Sequence, residues 1–109
     1  MLLEDVLSVL KEYADESEWK RTFSRKNSLV TLGRIMESEN RDIILITEKD
    51  EIAALAIVSC YYDFVEEKYG SIDIFYVRKK FRKKAFGRLL AAKTVNWFKL
   101  KECDKIFTS

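Results

Sequence analysis

Leu3, Val6, Leu7, Leu10 and Tyr13 recur at three- and four-residue spacing, which predicts an amphipathic helix over residues 2–14. The polar stretch 15–27 is a connection or an irregular helix in which Trp19 and Phe23, four apart, would share a face. Asn27 or Ser28 is expected to cap a second short helix, with apolar positions Leu29, Leu32 and Met36 and an end near 37–40. The period then changes. Residues 43–47 and 52–62 are apolar runs rich in strand-forming side chains, and Glu48-Lys49-Asp50-Glu51 between them is a plausible turn. Together they predict an antiparallel hairpin. A charged loop at 63–68 precedes a third strand at 69–77, a long helix at 85–102 and a last short strand at 105–108.

The order α-α-β-β-β-α-β predicts an α+β fold: a mixed, mostly antiparallel sheet of about four to five strands with helices on both faces. The last strand follows a strand and a helix, so it is expected to lie parallel to 69–77 through a right-handed crossover. On the long helix, Phe86, Leu89, Leu90, Trp97 and Leu100 mark the stripe expected to face the sheet, with Lys93 snorkelling out of it. With no proline, linker or repeat, residues 1–109 read as one domain.

Composition narrows the class. Apolar residues at 48% and charged residues at 35% describe a globular chain. No run is long enough to cross a bilayer and residues 1–9 lack signal-peptide features, so a cytoplasmic location is expected. With no histidine and two cysteines, Cys60 and Cys103, the chain lacks the ligands for a zinc site and the base for a histidine triad. The cysteines read as small buried hydrophobes.

Charge is strongly partitioned. Residues 1–67 carry 8 Lys/Arg against 15 Asp/Glu, a net of −7, and residues 68–109 carry 12 against 3, a net of +9. Six of the seven residues from 78 to 84 are cationic, between a strand and the start of a helix. A helix start presents unpaired N–H groups and partial positive charge, so this junction suits a phosphorylated ligand. A solvated basic loop, or a polyanion patch in which Phe81 stacks on a base, are the other readings of the run.

The motif Arg82-Lys83-Lys84-Ala85-Phe86-Gly87, preceded by Ile72-Asp73-Ile74-Phe75-Tyr76-Val77 and followed by Arg88-Leu89-Leu90 and Trp97, resembles the GNAT superfamily of acetyl-CoA-dependent N-acetyltransferases. That family has an Arg/Gln-x-x-Gly-x-Gly/Ala signature between a strand and a helix. Glu51-Ile52-Ala53-Ala54-Leu55-Ala56 matches its hairpin return, and Ser17-Glu18-Trp19 resembles its small phage and bacterial members. Ala85 and Lys83 replace frequent glycines, and Lys79 a frequent proline. A Cβ at position 85 requires a negative φ or strain.

The resemblance implies acetyl transfer from acetyl-CoA to a primary amine by direct attack, with a small amine or a protein amine as acceptor. It places the pantetheine arm on the backbone of Phe75, Tyr76 and Val77, and the phosphates on Arg82, Lys83, Lys84, Ala85, Phe86, Gly87 and Arg88. Asp73 takes the place of the general base, on the same strand face as Val77 by its four-residue spacing. The Val77 N–H would face the developing oxyanion. Tyr61, Tyr62, Tyr69 and Tyr76 are candidate acids. The family continues with a further helix and two strands, so the domain is expected to be C-terminally incomplete, or completed by a second subunit. A catalytically silent GNAT-like module and a small polyanion or nucleic-acid binder are the alternatives. The acidic balance of residues 1–67 favours a cationic acceptor such as a polyamine, an aminoglycoside or a lysine side chain.

Overall fold

The computed structural model describes residues 3–17, 22–63 and 65–108, so the expected pairing of Trp19 with Phe23 lies outside the described residues. Helix α1, Leu3–Glu16, buries Val6, Leu7, Val9, Leu10 and Ala14. Helix α2, Arg25–Glu37, begins earlier than its apolar spacing suggests, because Ser24 is the cap: its Oγ accepts from the Asn27 N–H at 3.2 Å. Strands β1, Arg41–Glu48, and β2, Glu51–Tyr62, form the expected hairpin. Its two loop residues, Lys49 and Asp50, both have positive φ, at 49° and 65°, the twist that a tight hairpin of right-handed strands requires. Strand β3, Lys68–Val77, a single helical turn at Lys79–Phe81, helix α3, Phe86–Leu100, and strand β4, Lys105–Thr108, complete the order.

The sheet runs β1-β2-β3-β4, antiparallel for the first two pairings and parallel for the last. Strand β2 is central, and every residue from 52 to 58 is buried, which is why it reads as a continuous apolar run rather than an alternation. Helices α1 and α2 cover one face, with Val6, Leu10, Leu32 and Ile35 packed on Leu55, Ile57 and Tyr76. Helix α3 covers the other, with Leu90 and Phe98 on Ile46, Ala54, Ala56 and Val58.

The buried row of α3 is Leu90, Thr94 and Phe98, flanked by partly buried Phe86 and Trp97. Leu89 and Leu100 are exposed, at 46% and 74%, so the expected stripe is rotated. Lys93 therefore points to solvent without snorkelling. Two features cause the rotation. Thr94 is an apolar-face residue despite its hydroxyl, which has no hydrogen-bond partner among the described residues. Gly70 opens room for the Phe98 ring: a Cβ built there would lie 2.3 Å from its Cδ1. Past α3, Glu102 takes a left-handed φ of 59° and the Cys103 N–H returns to the Phe98 carbonyl at 3.1 Å. The Asp104 N–H then donates to the Lys68 carbonyl at 2.7 Å and its carboxylate accepts from the Lys68 N–H at 2.8 Å, which sets β4 against the start of β3. No helix among the described residues is long and apolar enough to cross a membrane.

Candidate acetyl-transfer site

Strand β3 is irregular at its centre. Ile57 of β2 faces Ile74 and Val58 faces Ile72, so β3 uses one more residue, Asp73, where β2 takes a single step. Such a bulge bends a strand and reverses the side-chain alternation beyond it. Ile72 accordingly packs on the α3 face, whereas Ile74 and Tyr76 pack on the α1–α2 face. The four-residue spacing of Asp73 and Val77 thus misleads. Val77 belongs to the α3 side, while Asp73 is held on the opposite face by Ser59 and Ser71.

Strand β4 pairs with Tyr69 to Ile72 only. Among the described residues, the outer edge of residues 74–77 therefore carries no strand, and alternate backbone groups there point outward. Beyond this edge the chain turns through Lys79–Phe81 into α3. Phe81 is buried and meets Phe86 edge-to-face at 5.6 Å, which ties the turn to the first residue of the helix. Ala85 is the N-cap at φ −78°, so its Cβ causes no strain, and no side chain caps the helix. Gly87 lies against the end of β3, where a Cβ would touch only Val77 Cγ2, at 3.5 Å.

The basic run divides into two sets. Arg78 donates to Glu12 at 2.7 Å and to the Ile52 carbonyl at 3.0 Å, with a side chain only 20% exposed, so it is a structural tie. Lys80 pairs with Glu51 at 2.7 Å, Arg82 with Glu16 at 2.9 Å, and Lys84 with both oxygens of Glu48 at 3.1 Å. Arg82 also donates to the Val77 carbonyl at 2.9 Å. The hydrogen bond from Lys80 holds the Glu51 carboxyl below its usual range, against a smaller upward push from desolvation, and the Lys80 and Arg78 charges add to the lowering. Lys79, Lys83 and Arg88 have no ion pair among the described residues. The acidic half of the chain thus answers the basic loop within one molecule.

A strand with an open edge, leading through a basic turn to an uncapped helix start, is joined by a match of residues 4–109 to the sequence model of the acetyltransferase (GNAT) family. The chain belongs to the GNAT family.

Solved structures agree on the fold. A transcriptional regulator from Bacillus halodurans C-125 superposes with a TM-score of 0.83 at 15% identity, covering 100% of this chain and 77% of that one. A GNAT family acetyltransferase from Staphylococcus aureus subsp. aureus USA300_TCH1516 gives 0.75 at 18% identity, covering 100% and 82%. AAC(6')-Iy, in complex with the bisubstrate analogue CoA-S-monomethyl-acetylneamine, gives 0.79 at 14% identity, covering 98% and 71%. No curated protein sequence matches the chain.

Within this GNAT domain, Asp73 accepts from Ser59 Oγ at 2.5 Å and from Ser71 Oγ at 2.9 Å. It lines a recess of about 410 Å³ with Tyr13, Ile72, Phe75 and Thr108. Phe75 is 40% exposed, whereas Tyr76 is buried, edge-on to Tyr13 at 5.6 Å, and its hydroxyl donates to Glu16. Lys84, Ala85, Phe86, Arg88 and Leu89 border a shallow hollow of about 420 Å³ at the start of α3. The Tyr69 hydroxyl faces Asp63 and Glu67; those hydrogen bonds, Asp63 first, and desolvation raise its pKa, keeping it a protonated donor. Tyr61 and Tyr62 are exposed at the far end of β2. Ser59, Ser71 and Tyr13 escape a reading of the sequence because only strand register and helix packing bring them to Asp73. The signal available was register: Ser59 and Ser71 are direct cross-strand partners.

Proposed function

We propose that this GNAT domain transfers the acetyl group of acetyl-CoA to a primary amine. The observation that carries the reading is the open edge of residues 74–77 beside the uncapped start of α3, with the family's signature residues at that junction. The edge suits strand-like pairing of an extended amide chain with the backbone of Phe75, Tyr76 and Val77. The diphosphate is assigned to main-chain N–H groups of Ala85, Phe86, Gly87 and Arg88, because an N-terminal turn without a side-chain cap leaves these donors available. Lys83 and Arg88 are the cations assigned to phosphate directly. Arg82 and Lys84 join only by exchanging a carboxylate, Glu16 or Glu48, for a phosphate oxygen.

The bound thioester supplies the electrophilic carbonyl. Asp73 is assigned as the base that takes a proton from the acceptor ammonium, with Ser59 and Ser71 orienting its carboxylate toward the recess. No cysteine is among the described residues that line that recess, and direct attack by the amine, without a covalent enzyme intermediate, is the reading taken. Calorimetric titration of the whole chain with acetyl-CoA tests the reading: saturable heat is expected, and no heat or competition at millimolar ligand overturns it. A catalytically silent module would bind acetyl-CoA yet release no thiol with any amine.

A further inference from the structure

A cavity of about 280 Å³ lies between α1, α2 and the sheet. Leu10, Phe23 and Ile57 form apolar walls, and Asn27 and Thr31 contribute neutral hydrogen-bonding groups. None of the described residues that line it is charged. Tyr13 borders both this cavity and the Asp73 recess, and Ile74, the neighbour of Asp73 in β3, is part of the cavity lining. The cavity and the recess that holds the carboxylate thus share Tyr13 as a common wall. Of the nearby acids of α1, Glu12 pairs with Arg78, Asp15 with Lys11, and Glu16 with Arg82 and Tyr76.

Resting on the acetyl-transfer reading, we infer that the acceptor is a primary monoamine on an uncharged, largely apolar body, and not a polycation. At about 30 Å³ per water-sized group, the volume holds on the order of ten non-hydrogen atoms. One ammonium is matched by Asp73. No carboxylate is among the described residues that line the cavity, so a second ammonium there would stand among apolar walls and neutral hydroxyls without a counter-charge. Four of the 15 acids of the first 67 residues, Glu12, Glu16, Glu48 and Glu51, pair with the basic loop, which reduces the acidic balance that by itself favours a polycation. The transfer forms the amide C–N bond and breaks the thioester C–S bond. Of the two protons lost by the ammonium nitrogen, one ends on the coenzyme thiol and one leaves through Asp73 to solvent.

The test compares thiol release from acetyl-CoA with 2-phenylethylamine and with spermidine, alongside acetyl-CoA binding by calorimetry. A kcat/KM at least tenfold higher for 2-phenylethylamine is expected, the scale set by a pocket that mismatches its substrate. Thr31→Trp, at an exposed lining position, should remove that advantage while acetyl-CoA binding is unchanged. Equal or better turnover of spermidine overturns the inference and leaves acetyl transfer intact. If acetyl-CoA fails to bind, acetyl transfer falls, and direct binding decides the cavity. A thermal shift with millimolar 2-phenylethylamine that Thr31→Trp abolishes supports it; no shift in the parent chain overturns it.

Discussion

Gly87→Ala separates folding from ligand binding at one atom. Gly87 is the second residue of α3, and the Cβ of an alanine there would meet only Val77 Cγ2, at 3.5 Å, an ordinary van der Waals contact. Its φ is not positive, so an L side chain adopts the backbone without strain. The protein itself therefore has no objection to the methyl group. Replacing glycine in a helix gains about 0.5–1 kcal/mol, mostly by restricting the unfolded chain. For a domain of this size that raises the melting temperature by roughly 2–8 °C. A diphosphate cradled by the N–H groups of this turn, in contrast, needs close approach to the backbone at Gly87. The methyl group would stand off the ligand, and loss of one charge-assisted hydrogen bond costs about 1.5–3 kcal/mol, a fall in acetyl-CoA affinity of tenfold or more. Thermal unfolding and calorimetric titration on the same preparation measure both. Greater stability with weakened binding is expected; greater stability with affinity within twofold would refute the assignment of phosphate to this turn.

The remaining expectations address packing, charge and chemistry. Gly70→Ala places a Cβ 2.3 Å and 2.4 Å from Phe98 Cδ1 and Cε1, against a ring only 1% exposed, and should cost about 1–3 kcal/mol in urea unfolding, partly recovered by adding Phe98→Leu. Thr94→Val removes a buried hydroxyl that has no partner among the described residues and should stabilise by about 1 kcal/mol in the same assay; destabilisation would mean that the hydroxyl is bonded. Glu48→Gln releases Lys84 and should tighten acetyl-CoA roughly two- to fivefold at low salt, the worth of an exposed pair, with the gain shrinking as salt rises. Asp73→Asn should leave acetyl-CoA affinity unchanged in calorimetry and lower turnover about 10²- to 10⁴-fold. Unchanged turnover would remove Asp73 as the base.

The paired loop changes what the charge of this chain means. As numbers, −7 and +9 describe two halves that each need an external partner. Folded, Arg78, Lys80, Arg82 and Lys84 reach Glu12, Glu51, Glu16 and Glu48 on α1 and the β1–β2 hairpin. The loop is thereby held at the mouth of the site by contacts that are individually weak. Within this loop and the first turn of α3, Lys79, Lys83 and Arg88 have no ion pair among the described residues.

Element type and order were legible in the chain because period carries them: three- and four-residue spacing in α1, strand-forming runs in β1 to β3, and a signature straddling a strand and a helix. These are local properties, readable without knowing what lies across the sheet. The bulge at Asp73, the rotated face of α3 and the partners of the basic loop were not legible. Each depends on register or on a neighbour distant in sequence: Asp73 on Ser59 and Ser71, Phe98 on the space above Gly70, Arg82 on Glu16. A one-residue bulge reverses which face a side chain occupies, and an ion pair cancels a charge that composition still counts. Spacing along a chain cannot encode either, since both are set by which surfaces the packed core brings together.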